Sequence, residues 1–177
     1  MASKRIISPA GTLAFPSLFE ARANPNNPSA KPKFETTIVF PEGTDISALE
    51  AIVEEAMQDK WGADRPGNVR SPFRNAGEKS HLGEPFVEGA TCITVKSQFG
   101  PGVVDAESPP QPILNQSEIY PGVIARVQLH AFAYSASGNN GVSFGLDNVQ
   151  KLKDGTPVGG RNDAGAAFDG VSVDDLL

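Results

Sequence analysis

Aromatic and basic side chains recur together in two parts of the chain, on predicted strands and in a segment without periodicity. Bases stack on aromatic rings, and phosphates pair with arginine and lysine. This combination therefore predicts a groove that binds a nucleic acid. The predicted groove residues are Arg70, Phe73, Arg74, Lys96, Arg126, Phe132 and Tyr134.

The stretch 121–152 predicts the hairpin that positions three of these residues. Its first half alternates small aliphatic residues with a cation, an amide, an imidazole and two aromatic rings, which is typical of a strand with one dry face. The Gly- and Asn-rich run at 137–141 favours a turn, and a second alternating run follows it. The outer face of this hairpin is either a solvated sheet surface or a binding surface, and a loop packed over the rings would also explain them.

The segment 61–90 is rich in Gly, Pro, Arg and Asn and lacks periodicity. Long irregular segments inside compact domains are often functional. Its aromatic residues either pin a surface loop to the core or contact a ligand. We interpret Trp61 as a packing residue, and Arg70, Phe73 and Arg74 as binding candidates.

The charge distribution reconciles an acidic chain with an anionic ligand. The 177 residues carry a net charge of −6, which on its own disfavours nucleic acid. However, the segments 42–59 and 162–177 contain only acidic charges, so the rest of the chain is net positive by four charges. A protein with this distribution can still present a basic groove.

The remaining periodicity predicts a mainly β domain with one main helix. Alternating runs predict strands at 10–22, 34–40 and 91–99. The first strand is expected to be interrupted at Pro16, because proline cannot donate to a ladder. An apolar stripe at helical spacing predicts a helix over about 46–60 that packs on the sheet.

The sequence offers no arrangement for catalysis, a metal or a cofactor. The soft ligands His81, Cys92 and His130 lack zinc-binding spacing, and neither a phosphate loop nor a nucleophile elbow occurs. The lone cysteine is expected to be a buried small residue in a reducing compartment. No apolar run approaches the roughly 20 residues of a membrane span, and the N-terminus lacks a signal-peptide core. We therefore expect a cytoplasmic protein that is not an enzyme and has no cofactor, metal or membrane partner.

Several motifs resemble a family of phage proteins. They include Phe15-Pro16-Ser17-Leu18-Phe19, Tyr120-Pro121-Gly122, Phe132-Ala133-Tyr134 and Gly159-Gly160-Arg161. In these motifs the chain is similar to the bacteriophage and prophage single-stranded DNA-binding proteins. The resemblance covers nearly the whole chain and is most specific over residues 120–161.

The resemblance implies a single OB-fold-type antiparallel β-barrel with one main α-helix and a disordered acidic C-terminal tail. The barrel domain is expected over residues 1–161 and the tail over 162–177. The implied function is to bind and protect single-stranded DNA, without strong sequence preference, during phage DNA replication or recombination in the host cytoplasm. The predicted strands, helix, basic segment and acidic tail fit the same fold.

In proteins of this kind the acidic tail contacts replication or recombination proteins and competes for the DNA groove. A tethered acidic peptide has a high effective concentration near its own basic groove, so weak autoinhibition is expected here. The chain is expected to be a monomer or a weak homodimer. The predicted tail residues are Asp163, Phe168, Asp169, Asp174, Asp175, Leu176 and Leu177.

Two alternatives to this interpretation remain open on the sequence alone. One is a β-sandwich virion or interaction protein without a nucleic-acid role. The other is a protein whose preferred ligand is duplex DNA or RNA rather than a single strand. Direct binding to the three nucleic acids distinguishes these possibilities.

Overall fold

The computed structural model describes residues 4–136 and 138–158, together with the single positions Gly170 and Asp174. The described chain is mainly β, as the sequence predicts. Its strands are β1 (Ile6–Ile7), β2 (Gly11–Arg22), β3 (Lys33–Phe40), β4 (Arg74–Asn75), β5 (Thr91–Ser97), β6 (Gly102–Val104), β7 (Ile124–Ala136) and β8 (Asn139–Lys153). The α-helix is α1 (Ser47–Trp61), and short 3-10 turns span Gly62–Asp64, Ala76–Leu82 and Gln116–Glu118.

Five of the strands form a closed ring. Strand β7 pairs with β2, β2 with β3 and β3 with β5, all antiparallel. Strand β5 then pairs in parallel with β8, and β8 returns to β7 as its antiparallel hairpin partner. This circuit has the strand count of an OB-fold. The expectation of a single OB-type barrel with one main helix is confirmed.

The hairpin formed by β7 and β8 is the longest pairing of the sheet and matches the predicted alternation. Val127, Leu129 and Ala131 point into the barrel and are at most 3% exposed, whereas the residues between them face outward. The strands turn at Gly138, whose φ of 81° is disfavoured for residues with a Cβ. Residue 137 of the predicted turn lies outside the described residues.

Helix α1 begins at Ser47 and closes one side of the barrel. The carboxylate of Asp45 accepts a hydrogen bond from the backbone N–H of Ser47 at 3.0 Å, and hydrogen bonding by the side chain and then the backbone of Ser47 lowers the pKa of the Asp45 carboxyl. Leu49, Ile52 and Val53 form the buried stripe, which packs mainly against β7. The predicted helix is therefore confirmed to within one residue at each end.

The predicted interruption of the first strand is a β-bulge. Strand β2 changes register against β3 between Ala14 and Ser17, on either side of Pro16. Phe15 adopts a φ of 49°, a backbone conformation that residues with a Cβ rarely adopt. The bulge turns the Phe15 ring out of the barrel and against Phe86, with 5.9 Å between ring centroids.

The lone cysteine lies in the interior of the described chain. Cys92 is 4% exposed within a small cluster of buried residues, and burial raises the pKa of its thiol. It is therefore the buried small residue that was predicted. The described part of the chain contains no helix long and apolar enough to span a bilayer.

The predicted tail falls almost entirely beyond the described ranges. Asp174 is described as an exposed position. The other predicted tail residues, Asp163, Phe168, Asp169, Asp175, Leu176 and Leu177, lie outside the described residues. The predicted domain boundary at residue 161 lies outside them too and stays a prediction.

Candidate nucleic-acid interface

A groove of about 990 Å³ crosses the outer face of the barrel. Strands β5, β7 and β8 supply its floor and one wall, and the segment 70–79 supplies the other wall. The lining combines cations with aromatic rings, as a nucleic-acid groove requires. Its charged and aromatic residues are Arg5, Lys33, Arg70, Arg74, Glu78, Lys79, Lys96, Phe99, His130, Phe132, Tyr134, Phe144 and Asp147.

Backbone pairing fixes the wall formed by segment 70–79, although its sequence lacks periodicity. The N–H of Arg70 donates to the carbonyl of Asn140 at 2.8 Å, and the N–H of Val142 donates to the carbonyl of Arg70 at 3.2 Å. Four residues later, Arg74 pairs with Cys92 of β5 through strand β4. The backbones of both arginines are thus fixed beside the groove by pairing with neighbouring strands.

The groove is net positive, and most of its cations are available to a ligand. It contains six Lys or Arg side chains and two carboxylates. Within the described chain, four of the six have no carboxylate within 4.0 Å. These four, which we term the unpaired cations, are Lys33, Arg70, Arg74 and Lys79.

The other two groove cations form ion pairs. Nζ of Lys96 lies 3.7 Å from Glu35, its direct neighbour on β3, so part of its charge is offset. Nε of Arg5 lies 3.1 Å from Asp147. The side chains of Arg5 and Lys96 are nevertheless 54% and 52% exposed, so both can still contact phosphate.

The outward face of β7 supplies a row of rings. Phe132 is 43% exposed, and Tyr134 and His130 are half-buried on either side of it. Nδ1 of His130 lies 2.9 Å from Oδ2 of Asp147, which fixes the orientation of the imidazole. The alternation of the sequence places this imidazole on the outward face of the strand, but His130 was not among the predicted groove residues.

Phe99 supplies a further ring to the groove, from beyond the end of β5. Continued alternation would place Phe99 on the core face with Val95, but β5 ends at Ser97. The hydroxyl of Ser97 accepts the N–H of Phe99 at 3.0 Å, the chain bends, and the ring is 80% exposed in the groove. The Gly-Pro-Gly run at 100–102 was the available signal that the strand had ended.

Five of the seven predicted groove residues come together. Arg70, Arg74, Lys96, Phe132 and Tyr134 all line the groove.

Phe73 and Arg126 are placed elsewhere. The half-buried ring of Phe73 packs edge-on against Phe144, with 5.7 Å between centroids, and is not part of the groove lining. Arg126 hydrogen-bonds to Gln150 at 2.7 Å and lines a separate depression of about 280 Å³. A binding role for these two residues stays a prediction without support from the groove geometry.

The described residues provide no grouping suited to a metal ion. No three His, Cys, Asp or Glu side chains come together within the described ranges as a coordination site would require.

The chain matches one protein family over almost its whole length. The family model described as "Enterobacter phage Enc34, ssDNA-binding protein" matches residues 4–177. No curated protein sequence gives a significant match.

Solved structures share the fold. The single-stranded DNA-binding protein of bacteriophage Enc34 in complex with ssDNA is 18% identical, with a TM-score of 0.69 over 86% of this chain and 88% of that chain. Another structure of the Enc34 protein is 20% identical, with a TM-score of 0.66 over 93% and 90%. The single-stranded DNA-binding protein gp2.5 of bacteriophage T7 is 15% identical, with a TM-score of 0.65 over 95% and 96%. At these identities the likeness establishes the fold alone.

Proposed function

This chain belongs to the Enterobacter phage Enc34 ssDNA-binding protein family, and from that premise we propose that it binds single-stranded DNA in the groove. The family match confirms the resemblance found in the sequence and the expectation of a protein that is not an enzyme. The supporting observation is that exposed rings and unpaired cations line one open groove. In addition, the Enc34 protein, whose fold is shared, has been solved with ssDNA.

The arrangement of the groove suggests how a strand would lie. Phosphates would contact the unpaired cations along the rim, and bases would stack on the rings of β7 and on Phe99. Stacking uses the π-face that every base has, so little sequence preference is expected. A single extended DNA strand, whose bases can separate from one another, fits this arrangement. The bases of a duplex are stacked on each other and would present only their edges to the rings.

We place this activity in phage DNA replication or recombination, in the host cytoplasm. Single strands exposed during these processes need a protein that covers them regardless of sequence. A groove that recognises phosphates and π-faces meets that need, because neither feature carries sequence information. Replication and recombination proteins are the partners that this role implies.

Titration of the full chain with oligo-dT, duplex DNA and RNA tests the proposal. We expect oligo-dT to bind more tightly than duplex DNA of the same length. With four unpaired cations in contact with phosphate, log K should fall against log salt with a slope of about −3. If the full chain bound none of the three nucleic acids at low salt, the result would instead favour the alternative interpretation of an interaction protein without a nucleic-acid role.

We further propose that residues 1–161 form the binding domain and that the acidic tail, 162–177, competes for the groove. The last residue of the continuous described chain, Val158, packs against the small cluster that contains Cys92, and Cys92 also lines the groove. The remaining 19 residues could extend about 60 Å from there. A tethered acidic segment with that reach has a high effective concentration at the unpaired cations.

Deletion of residues 162–177 is expected to tighten oligo-dT binding several-fold at low salt. The difference from the full chain should narrow as salt rises, because competition between fixed charges is screened, with a Debye length of about 10 Å at 0.1 M. A full-length variant with Asn in place of Asp163, Asp169, Asp174 and Asp175 is the matched control and should resemble the deletion. Equal affinities of all three proteins across the salt series would leave the tail without a role in DNA binding.

A further inference from the structure

The ring-bearing residues of β7 lie opposite the smallest residues of β8. In the β7–β8 register, each of the three faces a residue with little or no side chain. Because the rings are large and the facing residues have little or no side chain, the rings can extend across the neighbouring strand. The pairs are His130 with Gly145, Phe132 with Ser143 and Tyr134 with Gly141.

The space above the two glycines is filled by these rings. A Cβ at Gly141 would lie 2.5 Å from Oη and 2.6 Å from Cζ of Tyr134. A Cβ at Gly145 would overlap the Cε1 and Nε2 atoms of the His130 ring. Carbon atoms normally approach no closer than about 3.5 Å, so neither ring could keep its position above an alanine.

Backbone conformation does not explain these glycines. Gly138, in the turn between the strands, has a positive φ, but Gly141 and Gly145 are not among the glycines with positive φ. A residue with a Cβ could therefore adopt their backbone conformation without strain. What requires glycine at these two positions is the ring of the neighbouring strand.

We propose that Gly141 and Gly145 are positioning residues for single-strand binding, which leave room for the Tyr134 and His130 rings to lie over β8. Together with Phe132 these rings line the groove as a row, which we term the platform. Asp147 holds the edge of the His130 ring, and Gly145 lets the ring rest on the strand. This inference rests on the proposed function, because the platform matters only if bases stack on it.

The spacing of the platform suits an extended strand. The ring centroids of His130 and Phe132 are 6.2 Å apart. Along one strand of a duplex, successive nucleotides rise only about 3.4 Å. Bases on neighbouring rings must therefore be separated by roughly twice the duplex spacing, which a free single strand can achieve and a paired strand cannot.

A double-mutant cycle with oligo-dT tests the proposal. Gly141→Ala and Gly145→Ala should each weaken binding on the order of tenfold, through the loss of one stacking ring. In a Tyr134→Ala background, Gly141→Ala should cost nothing further, because no ring remains to be displaced. The same non-additivity is expected for Gly145→Ala in a His130→Ala background.

One variant serves as a control for the effect of substitution in the sheet. Gly102→Ala places a Cβ 2.6 Å from the side chain of Asn148, outside the groove lining, and should perturb the sheet without weakening binding. Thermal unfolding of every variant identifies loss of fold.

The outcomes separate this inference from the function on which it rests. If the parent chain fails to bind oligo-dT, the proposed function is wrong. The positioning role is wrong if the parent chain binds and the folded glycine-to-alanine variants bind oligo-dT as tightly as the parent chain does. It is also wrong if each glycine-to-alanine change weakens binding by the same factor whether or not the facing ring is present. If an alanine variant unfolds and removal of the facing ring restores the fold, the ring contact is supported, and the cycle at the other glycine decides the effect on binding.

Discussion

The double variant Phe132→Ala/Tyr134→Ala is expected to bind oligo-dT at least about 30-fold more weakly than the parent chain, because each stacked base contributes about 1–3 kcal/mol. Both side chains line the groove and neither belongs to the fully buried core. The barrel should therefore keep its fold when they are removed. Fluorescence titration at fixed salt measures the loss, and thermal unfolding confirms that the variant is folded.

A matched control removes an exposed apolar side chain elsewhere. Leu114 is 89% exposed and does not line the groove, so Leu114→Ala should leave affinity unchanged. Phe99→Ala should behave like a ring variant, because Phe99 lines the same groove from the end of β5. Unchanged affinity in a folded Phe132→Ala/Tyr134→Ala protein would show that bases do not stack on β7.

The hairpin and helix could be predicted because their periodicity directly encodes which face is buried. Small aliphatic residues at every second position of β7 fix the inward face, and the outward face follows from the alternation. Leu49, Ile52 and Val53 fix the buried stripe of α1 in the same way. Closure of the barrel depends on long-range pairing, and the sequence indicated it only through family resemblance.

Sharing a strand face did not guarantee sharing a site. Arg126, Phe132 and Tyr134 all alternate with the buried residues of β7, as the sequence predicts. A strand rises about 3.3 Å per residue, so the six residues from Arg126 to Phe132 span about 20 Å. The alternation identifies the face, but the distance places Arg126 beside Gln150 and outside the groove.

Residues without periodic context were the hardest to assign. Phe73 was predicted to bind and instead packs against Phe144, whereas Phe99 falls within the strand predicted at 91–99 but lies beyond the end of β5 and is exposed. Their environments depend on where β5 ends and on how segment 70–79 pairs with β5 and β8. Likewise, Arg5 and Lys33 reach the groove only because the sheet topology brings distant segments together.

The second large effect concerns the rim arginines. Arg70 and Arg74 are exposed, their backbones are fixed by pairing, and neither has a carboxylate within 4.0 Å in the described chain. Charges positioned in this way can contact phosphate without first breaking an ion pair. Arg70→Ala/Arg74→Ala should therefore weaken oligo-dT binding strongly at low salt and less at high salt, where the phosphate contacts count for less.

The salt dependence of that double variant tests most directly whether a single strand lies in this groove. Each phosphate contact contributes about −0.7 to the slope of log K against log salt for a single strand, so losing two should reduce its magnitude by about 1.4. The control Arg65→Ala/Arg126→Ala removes the same charge outside the groove lining, where Arg65 pairs with Glu54 at 2.7 Å. We predict that only the groove variant has a shallower slope. Binding in the groove would be contradicted if Arg70→Ala/Arg74→Ala had the same slope of log K against log salt as the parent chain. It would also be contradicted if only the control variant had a slope of smaller magnitude.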